Sequence, residues 1–206
     1  MKCIAHRGYS LLHKDNSVEA IREAIHRNYD GVEIDVQLCE SGELVLHHDV
    51  YIGNHFIGDL SLKKLRGMGV CSLKEIYEKV PDIRKSLLFV DIKGNDMNVV
   101  NALEKFYTNE PVFDVIFCSF NRKIVYKLPR HFRKGSTFET TFHKSEFPVI
   151  TSHLDTVMIH WTCLDHDFID YCRDKGIGVY TYTHKEDKEL EYMYRYKVDG
   201  FVTNGF

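Results

Sequence analysis

Residues 3–38 read CIAHRGYSLLHKDNSVEAIREAIHRNYDGVEIDVQL. A short apolar run, Cys3–His6, is followed by a helical stretch and then by a second β-like run, Gly31–Leu38. The middle stretch, Ser17–Asn28, puts Val18, Ile21 and Ile25 on one stripe at helical spacing, and either Asn16 or Ser17 suits its N-cap. Strand, helix, strand in this order is the unit that joins two parallel strands through a covering helix.

The unit recurs outward from there. Strands are predicted at Leu87–Ile92, Val115–Phe120, Gly135–Phe138, Thr156–Trp161, Ile177–Thr183 and Gly200–Thr203. Helices are predicted at Ser72–Lys79, Met97–Tyr107, Arg122–Lys127, Phe168–Lys175 and Asp187–Tyr196. Ser72 with Glu75 three residues on forms a capping box, and Gly176 supplies a C-terminal glycine. A short strand at Glu43–His47 extends the second unit after a Ser41-Gly42 turn. Apart from that extension the pattern gives eight principal strands. Alternation of this kind implies a parallel sheet covered by helices. Eight units, with no Gly-rich phosphate loop after the first strand, favour a closed TIM-like (β/α)8 barrel over an open doubly wound sheet. The expected architecture is therefore a single-domain α/β barrel over residues 1–206.

Composition narrows the function classes. A net charge of −3 gives no basic surplus for nucleic acid. No run of about 18 apolar residues exists to cross a membrane. The sequence enters a strand at once and has no signal-peptide hydrophobic region, which predicts a cytoplasmic chain. The six cysteines include no CxxC pair and are expected to be reduced thiols in that compartment. Nothing in the sequence specifies an oligomeric state.

In such a barrel the chemistry stands at the C-terminal ends of the strands. Within Val32-Glu33-Ile34-Asp35-Val36, Glu33 and Asp35 share one face of a strand while the aliphatic residues take the other. Two inward carboxylates repel each other and lose hydration, and a divalent cation resolves both problems. Hard oxygen donors suit Mg²⁺ or Ca²⁺. Asp91 and Lys93 repeat the geometry on the next predicted strand, either as a simple ion pair or, as the second inward polar pair favours, as a third ligand and a point charge for an anionic substrate. His6 ends the first strand and Arg7, suited to bidentate phosphate contact, follows it. His48 ends the Glu43–His47 strand; His47 alternates to the other face and reads as structural. Trp161 and Tyr182, at later strand ends, are expected to line the mouth of a pocket, with core packing under a loop as the alternative.

Taken together and in order, these segments resemble the glycerophosphodiester phosphodiesterase family. The matching segments are His6-Arg7-Gly8, Asp15-Asn16-Ser17, Gly31-Val32-Glu33-Ile34-Asp35-Val36, Ser41-Gly42, His48-Asp49, Cys71-Ser72-Leu73-Lys74-Glu75-Ile76, Phe89-Val90-Asp91-Ile92-Lys93, Ser119-Phe120 and Val198-Asp199-Gly200-Phe201-Val202-Thr203-Asn204. The resemblance implies a TIM barrel that binds one divalent cation through Glu33, Asp35 and Asp91. It makes His6 and His48 the acid–base pair, gives phosphate binding to Arg7 and Lys93, and adds Asp15 as a further pocket candidate. The implied activity is hydrolysis of a small phosphodiester to sn-glycerol 3-phosphate and an alcohol. Asp91 stands where the family usually carries Glu, Asp15 likewise replaces a Glu, Tyr182 a Trp, and Asn204 an Asp. The stretch at about 50–71 is shorter than the insertion common in bacterial members, which bears on the alcohol end of the substrate. Two alternatives accompany this reading: phospholipase D-like hydrolysis of lysophospholipids on the same barrel, and a barrel that has lost catalysis and serves in binding.

Overall fold

The computed structural model describes residues 1–110 and 114–205. Eight parallel strands close on themselves: β1 (Lys2–His6), β2 (Gly31–Leu38), β3 (Leu87–Ile92), β4 (Val115–Ser119), β5 (Arg133–Phe138), β6 (Thr156–His160), β7 (Gly178–His184) and β8 (Gly200–Thr203). Each pairs with its sequence neighbour, and β8 returns to β1 through Lys2↔Gly200 to Ala5↔Thr203. The closed parallel ring is the one expected from the alternation of strands and helices.

Strand alternation sorts the apolar side chains into two cores. Ile4, Leu87, Phe89, Ile116, Cys118, Met158, Tyr180 and Val202 fill the barrel interior. Phe89 and Tyr180 meet edge to face there, with ring centroids 4.8 Å apart. Gly200 makes room for this layer, since a Cβ on it would stand 2.6 Å from the Lys2 carbonyl and 2.6 Å from the Tyr180 ring. The opposite faces of the strands pack against the helices in two further clusters. Burying each large aliphatic or aromatic side chain contributes roughly 1.5–3 kcal/mol. Because apolar residues plug the lower barrel, polar groups are left to the C-terminal mouth.

Local signals place the helices. Ser17, not Asn16, caps the helix Val18–His26, its Oγ accepting from the Ala20 N–H. The Ser72–Glu75 capping box opens the helix Leu73–Lys79. Gly176, at φ +70°, follows the helix His166–Asp174. The segment 50–71 contains elements that the pattern did not predict: a hairpin (Tyr51–Ile52 with His55–Phe56), a turn of 3-10 helix at Ile57–Asp59 and a helix at Leu62–Gly67. A small apolar cluster including Ile57, Leu60, Leu65 and Val70 anchors it to Cys39 and Val45. Among the described residues no helix is long and apolar enough to cross a membrane. All six cysteines are unpaired.

Candidate active site

The site begins where β1 ends. Arg7 (φ 58°) and Gly8 (φ 80°) are both in the left-handed region. A Cβ at Gly8 would lie 2.5 Å from the Ala20 carbonyl carbon and 2.7 Å from the Ile21 nitrogen, so only glycine lets the turn sit against the first helix. The turn carries Arg7 across the mouth. Its N–H donates to Glu33 Oε2 at 3.0 Å, its Nε lies 3.1 Å from Asp35 Oδ2, and its Nη1 lies 3.3 Å from Asp15 Oδ2.

Register brings the acids together. His6 pairs with Glu33 across β1 and β2, and Asp35 pairs with Asp91 across β2 and β3. Each of Glu33, Asp35 and Asp91 presents an oxygen within 4.8 Å of the others, and all three are buried. Burial, with Asp35 as neighbour, drives the Glu33 carboxyl well above the usual carboxylate range. Burial also raises Asp91. At Asp35 burial pushes the same way, but Lys93, Arg7 and an Asn16 hydrogen bond outweigh it and hold that group down. Lys93 bridges Asp91 Oδ2 at 2.5 Å and Asp35 Oδ1 at 3.0 Å, and despite its own burial these acids raise its ammonium above the usual lysine range. Asp91 Oδ1 remains buried with no hydrogen-bond partner. An orphaned carboxylate oxygen beside two more crowded acids is a donor set that fits a hard divalent cation.

The two histidines enter from opposite ends of the chain's first unit. His6 Nδ1 lies 2.6 Å from Asn204 Oδ1, and an amide oxygen there assigns the proton to Nδ1 and leaves Nε2 as the acceptor. Nε2 stands 4.0 Å from Glu33 Oε2. Burial, reinforced by Arg7, lowers the His6 imidazole to about 4. His48 Nδ1 contacts Asp49 Oδ1 at 2.8 Å. The Leu44–Leu46 strand stops before both His47 and His48, so a bend, not strand alternation, separates them. The buried Gln37 amide holds that bend, donating to the carbonyls of His47 and Asp49, each at 2.7 Å. His47 Nε2 meets the Tyr51 carbonyl at 3.2 Å.

A cavity of about 350 Å³ opens at this mouth, lined by His6, Arg7, Glu33, His48, Asp91 and Lys93 together with Phe120, Glu139, Tyr182 and others. Tyr182 is among the lining residues, its hydroxyl donating to the Phe138 carbonyl at 2.9 Å. Trp161 does not line the cavity. β6 ends at His160, and a 3-10 turn (Trp161–Cys163) turns the indole onto the apolar cluster under the helices, 5.8 Å from the Tyr192 ring. Asp15 is likewise outside the lining and acts on the site through Arg7. Sequence reasoning passed over Glu139 and gave Asn16 only a capping role. Asn16 is buried beside Asp35, in a left-handed conformation (φ 56°) that a short amide side chain tolerates.

The sequence pattern of the glycerophosphoryl diester phosphodiesterase family matches residues 6–205. The chain belongs to that family. Its members are phosphodiesterases, so this chain is a phosphoric diester hydrolase. It is 23% identical over 226 residues to the glycerophosphodiester phosphodiesterase of Caldanaerobacter subterraneus, covering 98% of this chain and 93% of that protein. It is 28% identical over 149 residues to human glycerophosphodiester phosphodiesterase 1, covering 62% of this chain and 45% of the human protein. An Oleispira antarctica phosphodiesterase, solved in complex with its product sn-glycerol-3-phosphate, shares the fold with a TM-score of 0.86 at 19% identity, covering 99% of this chain and 93% of that one. Membership in the phosphodiesterase family implies a divalent metal, and among the described residues the acidic triad could hold one.

Proposed function

We propose that the chain hydrolyses glycerophosphodiesters to sn-glycerol 3-phosphate and an alcohol in a metal-dependent reaction. The observation that carries this reading is the convergence of three buried carboxylates within 4.8 Å, at the mouth that also holds His6, His48, Arg7 and Lys93. The product bound to the Oleispira antarctica relative is of the same chemical class. Glu33, Asp35 and Asp91 would hold Mg²⁺ or Ca²⁺. When bound, such a cation supplies Lewis-acid charge for the phosphoryl oxygens.

The protein's own groups do the rest. Arg7 and Lys93 bind the phosphate and offset the negative charge that builds on it. His6 and His48 form the acid–base pair. One takes the proton of the attacking oxygen, from water or from the substrate's neighbouring glycerol hydroxyl, while the other protonates the departing alkoxide. With water as nucleophile, one P–O bond forms, the P–O bond to the alcohol breaks, and one water is consumed. With the hydroxyl, the cyclic diester is then opened by water to the same products.

The test is the purified protein with glycerophosphocholine, with Mg²⁺, with Ca²⁺ and with chelator, following sn-glycerol 3-phosphate. Turnover with one of the cations and none with chelator is the expected result. Turnover undiminished by chelator, or none with either cation, overturns the proposal. A second reading, hydrolysis of lysophospholipids, draws support from the cross-strand pair Tyr51 and Phe56, which are 53% and 62% exposed on the hairpin of segment 50–71. Choline released from lysophosphatidylcholine under the same conditions, with lysophosphatidic acid as the other product, measures it.

A further inference from the structure

The cavity has two chemically different halves. Strands β1 to β3 supply its imidazole, cations and acids: His6, Arg7, Glu33, Asp91 and Lys93. Strands β4, β5 and β7 supply Phe120, Glu139 and Tyr182 at their ends. Phe120 and Tyr182 stand at 88° to each other with centroids 6.1 Å apart, two walls of a corner. The Tyr182 hydroxyl is committed to the Phe138 carbonyl, so its ring, not a free donor, serves the corner. Glu139 follows Phe138, is exposed, and has no hydrogen bond or ion pair among the described residues. Lys93 Nζ lies 5.9 Å from the Phe120 centroid, so the aromatic corner adjoins the phosphate end within the reach of a short alcohol.

We infer that this half is a subsite for the cationic head of the leaving alcohol, a choline or ethanolamine ammonium on its two-carbon spacer, with Glu139 as counter-charge and the Phe120 and Tyr182 rings as walls. The inference rests on the diesterase reading above and adds which diesters the site prefers. Aromatic faces attract ammonium groups through the ring quadrupole, and an unpaired carboxylate at the rim adds a screened attraction. A neutral glycerol head gains from neither. Lys93 does not repel the ammonium as a bare charge would, because the phosphate it holds in the bound diester offsets its charge.

The experiment compares kcat/KM of the metal-loaded enzyme for glycerophosphocholine, glycerophosphoethanolamine and glycerophosphoglycerol in the wild type, Glu139→Gln and Glu139→Asp. The wild type is expected to prefer the two cationic esters. The preference should fall roughly two- to fivefold in Glu139→Gln, the range expected for losing one exposed charge pair while the aromatic walls stay, and survive in Glu139→Asp. Equal specificity for all three esters in the wild type, or a preference untouched in Glu139→Gln, overturns the inference. Binding is read separately by saturation-transfer NMR with choline chloride. Transfer to the choline methyl protons, weakened in Glu139→Gln, is expected; its absence from the wild type rejects the subsite. A protein that binds choline but hydrolyses no diester fails the diesterase reading instead.

Discussion

Asn16 grips Asp35 at both ends of its amide: Nδ2 donates to Asp35 Oδ2 at 2.7 Å, and Oδ1 accepts from the Asp35 backbone N–H at 3.0 Å. The carboxylate at the centre of the acidic triad is thereby fixed in orientation before any cation arrives. Partners of this kind behind a ligand typically govern metal affinity by about 10–100-fold. Asn16→Ala should raise the cation concentration for half-maximal activity by that factor. A cation titration of the activity checks this; an unshifted midpoint would show that Asp35 holds its place without the amide.

Cation binding should also appear in the stability of the fold. Glu33, Asp35 and Asp91 crowd one another without a cation. At a hundred times its Kd a ligand stabilises the native state by about 2.7 kcal/mol. For a chain of this size that corresponds to a Tm increase of roughly 5–10 °C. The increase should vanish in Asp35→Asn, as read by calorimetry with and without the cation. An equal shift in that variant places the cation elsewhere.

Removing either member of the proposed acid–base pair should slow chemistry and spare the fold. His6→Ala and His48→Ala should each lower kcat by about 10²–10⁴-fold. His47→Ala should be far milder, since its ring is tied to the Tyr51 carbonyl away from the cavity. Steady-state kinetics with circular dichroism on each variant separates loss of chemistry from loss of fold. A His47→Ala collapse equal to that of His48→Ala would reverse the assignment of the two rings.

His184 gives the fold a pH dependence. It is fully buried, its Nε2 lies 2.8 Å from Thr181 Oγ1, and burial lowers its imidazole to about 4. The folded chain keeps this ring neutral, whereas the unfolded chain protonates it near its ordinary value of 6.5. The unfolded state therefore binds the extra proton, and the stability that the neutral ring allows is lost as pH falls from about 6.5 towards 4. The slope from this group is at most about 1.4 kcal/mol per pH unit. Urea unfolding from pH 7.5 to 4.5 should show a smaller loss in His184→Gln than in the wild type; parallel curves would show that another group carries the effect.

Gly8→Ala should be strongly destabilising, by roughly 2 kcal/mol or more, from a left-handed φ combined with backbone overlap. The added methyl would meet Ala20 and Ile21 main-chain atoms that have nowhere to move. Denaturant midpoints measure it, and a loss within a few tenths of a kcal/mol would mean that the first helix can slide away from the turn.

The ring of strands was legible because each strand carries its own apolar period and each helix its own cap; Ser72 with Glu75 and Gly176 after Asp174 are local signals that tertiary contacts left intact. The triad was legible for a related reason, since acids two apart on an otherwise aliphatic strand have one face to share. What failed was direction at element ends. An Asn before a helix usually caps it, but Ser17 took the cap and left Asn16 free to turn inward. Trp161 follows an apolar strand as Tyr182 nearly does, yet a 3-10 turn that no periodicity announces took its ring to the helix side. His47 and His48 were separated by a bend that depends on Gln37, a residue read only as part of a strand. Glu139, an exposed acid after a weak strand, carried no pattern at all until the barrel set it beside Tyr182.

The contact between His6 and Asn204 spans 198 positions of the chain. The acids, by contrast, lie between residues 33 and 91 and can assemble on two adjacent strands, β2 and β3. A nascent or partly unravelled barrel with its seam between β1 and β8 open could therefore gather the acids while its first histidine swings without a partner. Competence thus depends on the seam: the site can begin to collect its acids early, but it gains an oriented proton acceptor only when the two sides of the ring have found each other.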